Sequence, residues 1–229
     1  MEAMKFLTSP LLARTGGVIH GFGQRIPGTR ALAREAAQAT FKPSGDVFFL
    51  RQVHGCSIAT PPWTEAPAAD ASLTDEAGVL LAIETADCLP VLMVDPVNRR
   101  VAAAHAGWRG TAARVAPAAL RALIEQGSNP TQVLVALGPA IGPCCYEVGP
   151  EVEEAFGPGG ASFFVPGPVG RKRLDVAAAN RAQLEEMGVR SDNIDSLDLC
   201  TRCREDLFFS YRRDGANAGR MISLIGLSR

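Results

Sequence analysis

Short apolar runs bounded by turn residues recur through the chain: DVFFLRQVHG (46–55), GVLLAIE (78–84), LPVLMVD (89–95), RVAAAHAG (100–107) and TQVLVALG (131–138). Runs of this length without a polar face suit strands buried on both sides, and these five are expected to share a sheet. Between two of them, DPVNRR (95–100) carries Asp, Pro and Asn and reads as a hairpin turn, which makes that pair antiparallel and the sheet mixed. The pattern becomes helical over TAARVAPAALRALIEQ (111–126), closed by Gly127, and over LDVAAANRAQLEEM (174–187), closed by Gly188. Pro117 is expected to bend the first helix. MISLIGL (221–227) is a further strand, which DLFFSYRRDG would reach through a turn at Asp214 and Gly215. ATPPWTEAPAAD (59–70) and FGPGGASFFVPGPVG (156–170) read as surface loops. The expectation is one α/β domain over residues 1–229, with helices against a mixed sheet.

Composition narrows the function classes. The chain has 229 residues, 47% of them hydrophobic, and its 23 basic residues nearly cancel 24 acidic ones. No bulk field marks a nucleic acid or an anionic membrane as partner, so any anion must be held locally. No apolar stretch reaches the roughly 18 residues needed to span a bilayer, and MEAMKFLTSPLLARTGG is too broken for a signal peptide. A cytoplasmic protein is expected, in which six cysteines stay as thiols.

One of those thiols stands out. TADCLP (85–90) sets Asp87 and Cys88 at the start of an apolar strand, and AAAHAGWRGT places His105 where the paired strand turns into a helix. Both lie at the open end of one hairpin, on strands ~5 Å apart. His54, in RQVHG, would join them from a neighbouring strand, giving a His, Cys, His set that suits zinc with a fourth position open to water. The residue types equally allow a Cys88–His105 nucleophilic pair or plain burial.

The motifs RQVHG (51–55), TADCLPVLMVD (85–95), AAAHAGWRGT (102–111), GPAIGPCCYEVG (138–149) and DLCTRC…LFFSYRRDGANAGRM (198–221) together resemble the YfiH-like, "laccase-domain" family, whose members are also named polyphenol oxidase, purine nucleoside phosphorylase or peptidoglycan editing factor. The similarity runs in order from about residue 16 to the end. It implies an α/β fold of layered mixed sheets flanked by helices, and zinc held by His54, Cys88 and His105. It also implies phosphorolysis of adenosine, inosine and methylthioadenosine, and deamination of adenosine. Three histidines cannot furnish the roughly ten imidazoles of a multicopper centre, so laccase chemistry is disfavoured and copper is expected only as an adventitious ion.

Deamination would use zinc-activated water at C6 of the purine, with Asp87 handling protons; Asp87 also reads as a turn or capping residue. Phosphorolysis needs basic groups for the phosphate, and Arg51, Arg109, Arg212 and Arg213 are available. Arg51 and His54 would point to opposite faces of an ideal strand, which makes Gln52 the better neighbour for the site. Tyr146, Phe208 or Tyr211 would stack on the base. Cys144 and Cys145, as strand neighbours, cannot face one ligand, and Cys200 and Cys203 form a CxxC lacking two further ligands, so free thiols are expected. A monomer or small homo-oligomer taking a purine nucleoside and phosphate is the leading reading. A Cys-His amidase editing peptidoglycan precursors, and a binding protein whose structural zinc is closed by Cys145, are the alternatives.

Overall fold

In the computed structural model, which describes residues 5–26, 30–41 and 46–229, the five apolar runs divide between two mixed sheets instead of sharing one. One sheet has the order Phe6–Leu7, Val18–Gly23, Met221–Leu227, Leu80–Thr85, Val47–Phe49; the other runs Ile194–Ser196, Leu134–Leu137, Leu89–Asp95, Arg100–Ala106, Ala71–Thr74, Ile58–Ala59. The chain leaves the first at Thr85 and enters the second at Leu89, so TADC is the crossing between sheets. Asp87 makes that crossing at φ 83, a conformation Asp tolerates better than most residues.

Side-chain alternation then builds the layers. Leu92 and Val94 face Leu81, Ile83 and Ile225 of the other sheet, whereas Val91 and Met93 face the helices Val115–Glu125 and Val176–Glu186. The outer face of the first sheet, with Leu80, Ala82, Ile222 and Leu224, is covered by Ala36 and Phe41 of the helix Arg30–Phe41. Burial on both faces is why these strands carry continuous apolar runs. The sheets are flanked by helices, as expected.

The hairpin forms as predicted, with register from Leu89↔Ala106 to Asp95↔Arg100. Asp95 closes the turn, its Oδ1 accepting from the backbone N–H of Val97 at 2.9 Å and of Asn98 at 3.0 Å. The helix expected over 111–126 is instead two, Trp108–Ala112 and Val115–Glu125, separated by Arg114 at φ 62. Pro117 therefore sits in the first turn of the second helix, where no intrahelical N–H is required, and it bends nothing. The second predicted helix runs Val176–Glu186, capped by Asp175 and closed near Gly188 at φ +95.

Three further expectations are corrected. The strand expected over 46–55 stops at Phe49. DLFFSYRRDG supplies no strand: Phe208 is fully buried and the segment ends in a short helix, Tyr211–Asp214, capped by the Ser210 hydroxyl. Of the two predicted surface loops, 59–70 ends in buried Ala69 and Asp70, and 156–170 contains the strand Phe164–Pro166, which pairs with Lys172–Leu174 in a three-stranded sheet with Glu147–Val148.

Candidate metal and substrate site

Cys88 lies one residue before the strand Leu89–Asp95, and His105 is the penultimate residue of the strand paired with it. Since Pro90 opposes His105, Cys88 falls beside Gly107, just past the end of that strand. A Cβ at position 107 would stand 2.8 Å from the Cys88 Sγ and 3.2 Å from the His54 Cδ2, so only glycine leaves both ligand side chains their space.

His54 comes from a loop and not from a strand. The turn at 53–55 is closed by Asp70, whose carboxylate accepts the backbone N–H of Val53 at 3.1 Å, His54 at 2.9 Å and Gly55 at 2.7 Å. That arrangement holds His54 at φ 62. The same carboxylate meets His105 Nδ1 at 2.8 Å, which leaves Nε2 of His105 for a ligand. One buried acid thus places two histidines, and the donor atoms of His54, Cys88 and His105 lie within 4.8 Å of one another.

The charges in this cluster support each other. Burial opposes ionisation of Asp70, but hydrogen bonds from His105, Gly55 and His54 outweigh it and hold the carboxyl below its usual range. Burial disfavours protonated His105, yet the bonds to Asp70 and Cys88 raise it to about 9. The Cys88 thiol is likewise opposed by burial and still falls to about 6, through hydrogen bonds with His105 and His54. With only protein groups around it, the sulfur is a thiolate at neutral pH.

A cavity of about 630 Å³ opens above this cluster, and its lining includes Arg51, Gln52, His54, Asp87, Cys88, His105, Arg109, Tyr146 and Arg212. Arg51 and His54 share it because the chain between them is not a strand, which removes the expected conflict of faces. Gln52 is engaged with the backbone of Glu84, donating to its carbonyl at 2.8 Å and accepting from its N–H at 2.9 Å. Asp87 lines the cavity, and its carboxylate accepts from the Thr201 hydroxyl at 2.6 Å, the Ser210 hydroxyl at 3.0 Å and the Arg212 N–H at 2.6 Å, as a capping residue does. The Arg212 guanidinium lies 5.3 Å from the Tyr146 ring and donates to the Glu147 carbonyl. Arg213 is tied to Asp214 and to the carbonyl of Phe208, away from the cavity.

Cys144 and Cys145 are not strand neighbours but members of a turn closed by Cys145 N–H to the Gly142 carbonyl at 2.9 Å. They meet Cys200 and Cys203 in a second group of four, so Cys145 does not complete the His54, Cys88, His105 set.

Residues 27–228 match the family model described as multi-copper polyphenol oxidoreductase laccase. The chain belongs to that family. Among laccase-family relatives, it is 41% identical over 201 residues to a protein of Deinococcus radiodurans named purine nucleoside phosphorylase, covering 86% of this chain and 76% of that one. It is 38% identical over 193 residues to adenosine deaminase RL5 of an unknown prokaryotic organism, covering 78% and 74%. The solved structure of YlmD from Geobacillus stearothermophilus superposes with a TM-score of 0.89 at 32% identity, over 100% of this chain and 98% of that one. Among the described residues, no helix is long and apolar enough to cross a membrane.

Several residues of this family member's site, in the cavity wall or behind it, were not singled out from the sequence. Asp70 is the main one; its only sequence signal is an acid closing a Pro/Ala-rich loop immediately before an apolar run. Glu84 is an acid within the apolar run LLAIET, buried and paired with Arg34 at 2.7 Å. Trp108 and Arg220 also line the cavity. Of the three aromatics expected against a base, Tyr146 and Tyr211 are there and Phe208 is in the core.

Proposed function

We propose that this chain is an enzyme of purine nucleosides that holds zinc through His54, Cys88 and His105, splits adenosine, inosine and methylthioadenosine with phosphate, and deaminates adenosine. The observation that carries the reading is that this donor set, oriented by Asp70, opens onto the same cavity as Arg51, Arg109, Arg212, Arg220 and Tyr146. Relatives named purine nucleoside phosphorylase and adenosine deaminase support the substrate class.

The residues fit the metal. Two imidazoles and one thiolate are borderline-soft donors of the kind zinc takes at catalytic sites, and the carboxylate behind His105 is the partner that metal-bound histidines need. The same set would take copper adventitiously, although three histidines cannot build the multicopper centre of the family's name. When bound, zinc supplies a Lewis acid and lowers the pKa of its water toward ~7.

The protein's own groups do the rest. Arg51 and Arg109 are exposed guanidiniums on the cavity rim, suited to bidentate hold on phosphate oxygens. Arg109 is steadied by stacking on Trp108 at 4.2 Å. Burial, and then the Cys88 charge, push the Tyr146 hydroxyl well above its usual range, so it stays a neutral phenol beside the base. Asp87 holds the backbone of Arg212 and the Thr201 loop in place; proton transfer by Asp87 would draw on a carboxylate that already accepts three hydrogen bonds. Six free thiols suit the cytoplasm, and a monomer or small homo-oligomer would suffice because the cavity is built from one chain.

The test is metal content on protein purified without added metal, for wild type and Cys88→Ala, together with conversion of adenosine with and without phosphate. About one zinc per chain at this site, lost together with adenine and inosine formation in the variant, is the expected result. A second reading rests on the order Asp70, His105, Cys88, an acid orienting a base beside an activated thiol. It makes Cys88 the nucleophile of an amidase on peptidoglycan-type precursors. Alkylation of Cys88 that abolishes amide hydrolysis in zinc-stripped protein would establish it in place of the first.

A further inference from the structure

We propose that Cys144, Cys145, Cys200 and Cys203 form a second metal site, a closed tetrathiolate centre for a structural zinc ion that ties the 142–145 turn, next to the cavity wall, to the 200–203 turn. The four sulfurs come from segments 55 residues or more apart in sequence and lie within 4.8 Å of one another. Cys203 Sγ is 3.7 Å from Cys144 Sγ and 3.3 Å from Cys145 Sγ. Those separations are far beyond the ~2.05 Å of a disulfide. They lie at or somewhat below the edge of about 3.8 Å that a tetrahedron of sulfurs has around an ion bonded at ~2.3 Å, so small outward shifts of the sulfurs admit the ion.

The backbone is shaped for the same ligand. The Gly142 N–H donates to Cys200 Sγ at 3.3 Å, and the Cys203 N–H bonds the same sulfur, so the CTRC turn folds back on its first thiol as metal-binding CxxC turns do. Cys144 Sγ and Cys200 Sγ both pack beside Gly142, 3.4 Å and 3.7 Å from where a Cβ would stand, which is ordinary contact distance. Adjacent Cys144 and Cys145 both contribute because a turn, unlike a strand, lets neighbours point to one side. Binding requires all four thiols to release their protons, leaving a centre of net charge −2; the Arg202 guanidinium, hydrogen-bonded to Cys145, and the two backbone N–H groups offset it. Tetrahedral sulfur selects zinc or iron, and the absence of any required redox step favours zinc.

The site's position gives it a task. Cys200 pairs with Ala140 in an isolated parallel β-bridge, Thr201 beside it hydrogen-bonds Asp87 at 2.6 Å, and Tyr146 follows Cys145 directly into the cavity wall. An ion here fixes the 142–145 turn against the 200–203 turn. Without one, the hydrogen bonds that join them among the described residues are the Gly142 to Cys200 bond, the thiol contacts of Cys203 with Cys144 and Cys145, the Arg202 to Cys145 bond and the 140–201 backbone pairs.

The experiment uses the full chain with Cys88→Ala, which removes a ligand from the His54, Cys88, His105 set and so keeps the two sites distinguishable. Reduced, metal-stripped protein is titrated with cobalt(II) alone. About one equivalent should bind, with the intense sulfur-to-cobalt charge-transfer and visible bands of a tetrahedral thiolate site, and zinc should displace it. Adding Cys203→Ser should abolish those bands while the far-UV circular dichroism is retained. If that variant does not fold, amide exchange on the Cys88→Ala protein replaces it: residues 142–146 and 200–204 should exchange at least about tenfold faster after chelation. Reduced Cys88→Ala protein that binds no cobalt, exchange unaffected by chelation, or a red iron-containing protein on purification would each overturn the proposal.

Discussion

Asp70→Asn isolates the part of the site on which both histidines depend. The carboxylate accepts two hydrogen bonds on each oxygen: His54 N and His105 Nδ1 on Oδ1, Val53 N and Gly55 N on Oδ2. Asparagine keeps the shape but turns one oxygen into a donor. If the amide nitrogen takes the Oδ2 place, it faces two backbone N–H groups and opens the turn that carries His54. If it takes the Oδ1 place, His105 must accept there and move its proton to Nε2, the nitrogen needed for metal. Either way two bonds to a charged acceptor are lost, each worth about 1.5–3 kcal/mol, and we expect a net loss near 2–4 kcal/mol because the turn is half exposed and regains water. Zinc affinity should fall about 10–100-fold, the usual effect of losing the carboxylate behind a ligand histidine. The Cys88 thiol should also titrate above its value of about 6, because the imidazolium that lowers it is no longer sustained. Chelator competition gives the affinity, thermal unfolding the stability, and the pH dependence of alkylation in stripped protein the thiol. Zinc affinity within about twofold of wild type and an unchanged unfolding midpoint would refute the role assigned to Asp70.

Other perturbations separate site from scaffold. Gly107→Ala puts a methyl 2.8 Å from the Cys88 sulfur at a backbone of φ −71 and ψ 172 that alanine accepts, so zinc affinity should drop about tenfold or more while the folding stability moves by under about 1 kcal/mol; equal affinity by chelator competition would show that the sulfur moves away freely. Leu92→Ala, fully buried between the two sheets, should cost about 2–5 kcal/mol in urea unfolding, and a loss under about 1 kcal/mol would mean that the intersheet core is not close-packed. His20 is buried, accepts the Ser9 N–H at 3.0 Å and has its pKa lowered from 6.5 mainly by burial. A lowered histidine pKa adds stability that is present above the unfolded value and lost as pH falls through the folded one, so unfolding free energy should decline as pH drops below about 6.5, less steeply in His20→Gln. Identical slopes would remove His20 from that account.

Much of the fold was legible because local physics wrote it into the chain. Strands buried on both faces must be continuously apolar, turns need Asp, Asn, Pro or Gly, and helices end at glycine; LPVLMVD, DPVNRR and the glycines at 127 and 188 therefore found their places. The residue types of His54, Cys88 and His105 likewise limited the chemistry before any contact was known. What the chain could not declare locally is which runs share a sheet. Whether 80–85 pairs with 89–95 or with 221–227 depends on the turn Asp87 makes between them, and both candidate partners are continuous apolar runs. Nor could spacing show that Asp70 binds two histidines or that four cysteines from two distant turns converge, since those contacts exist only after the sheets have packed. Residue type and period are properties of neighbours in sequence, and they determined elements and donor groups. A binding site is a set of distances between groups far apart in sequence, and only tertiary packing decided those.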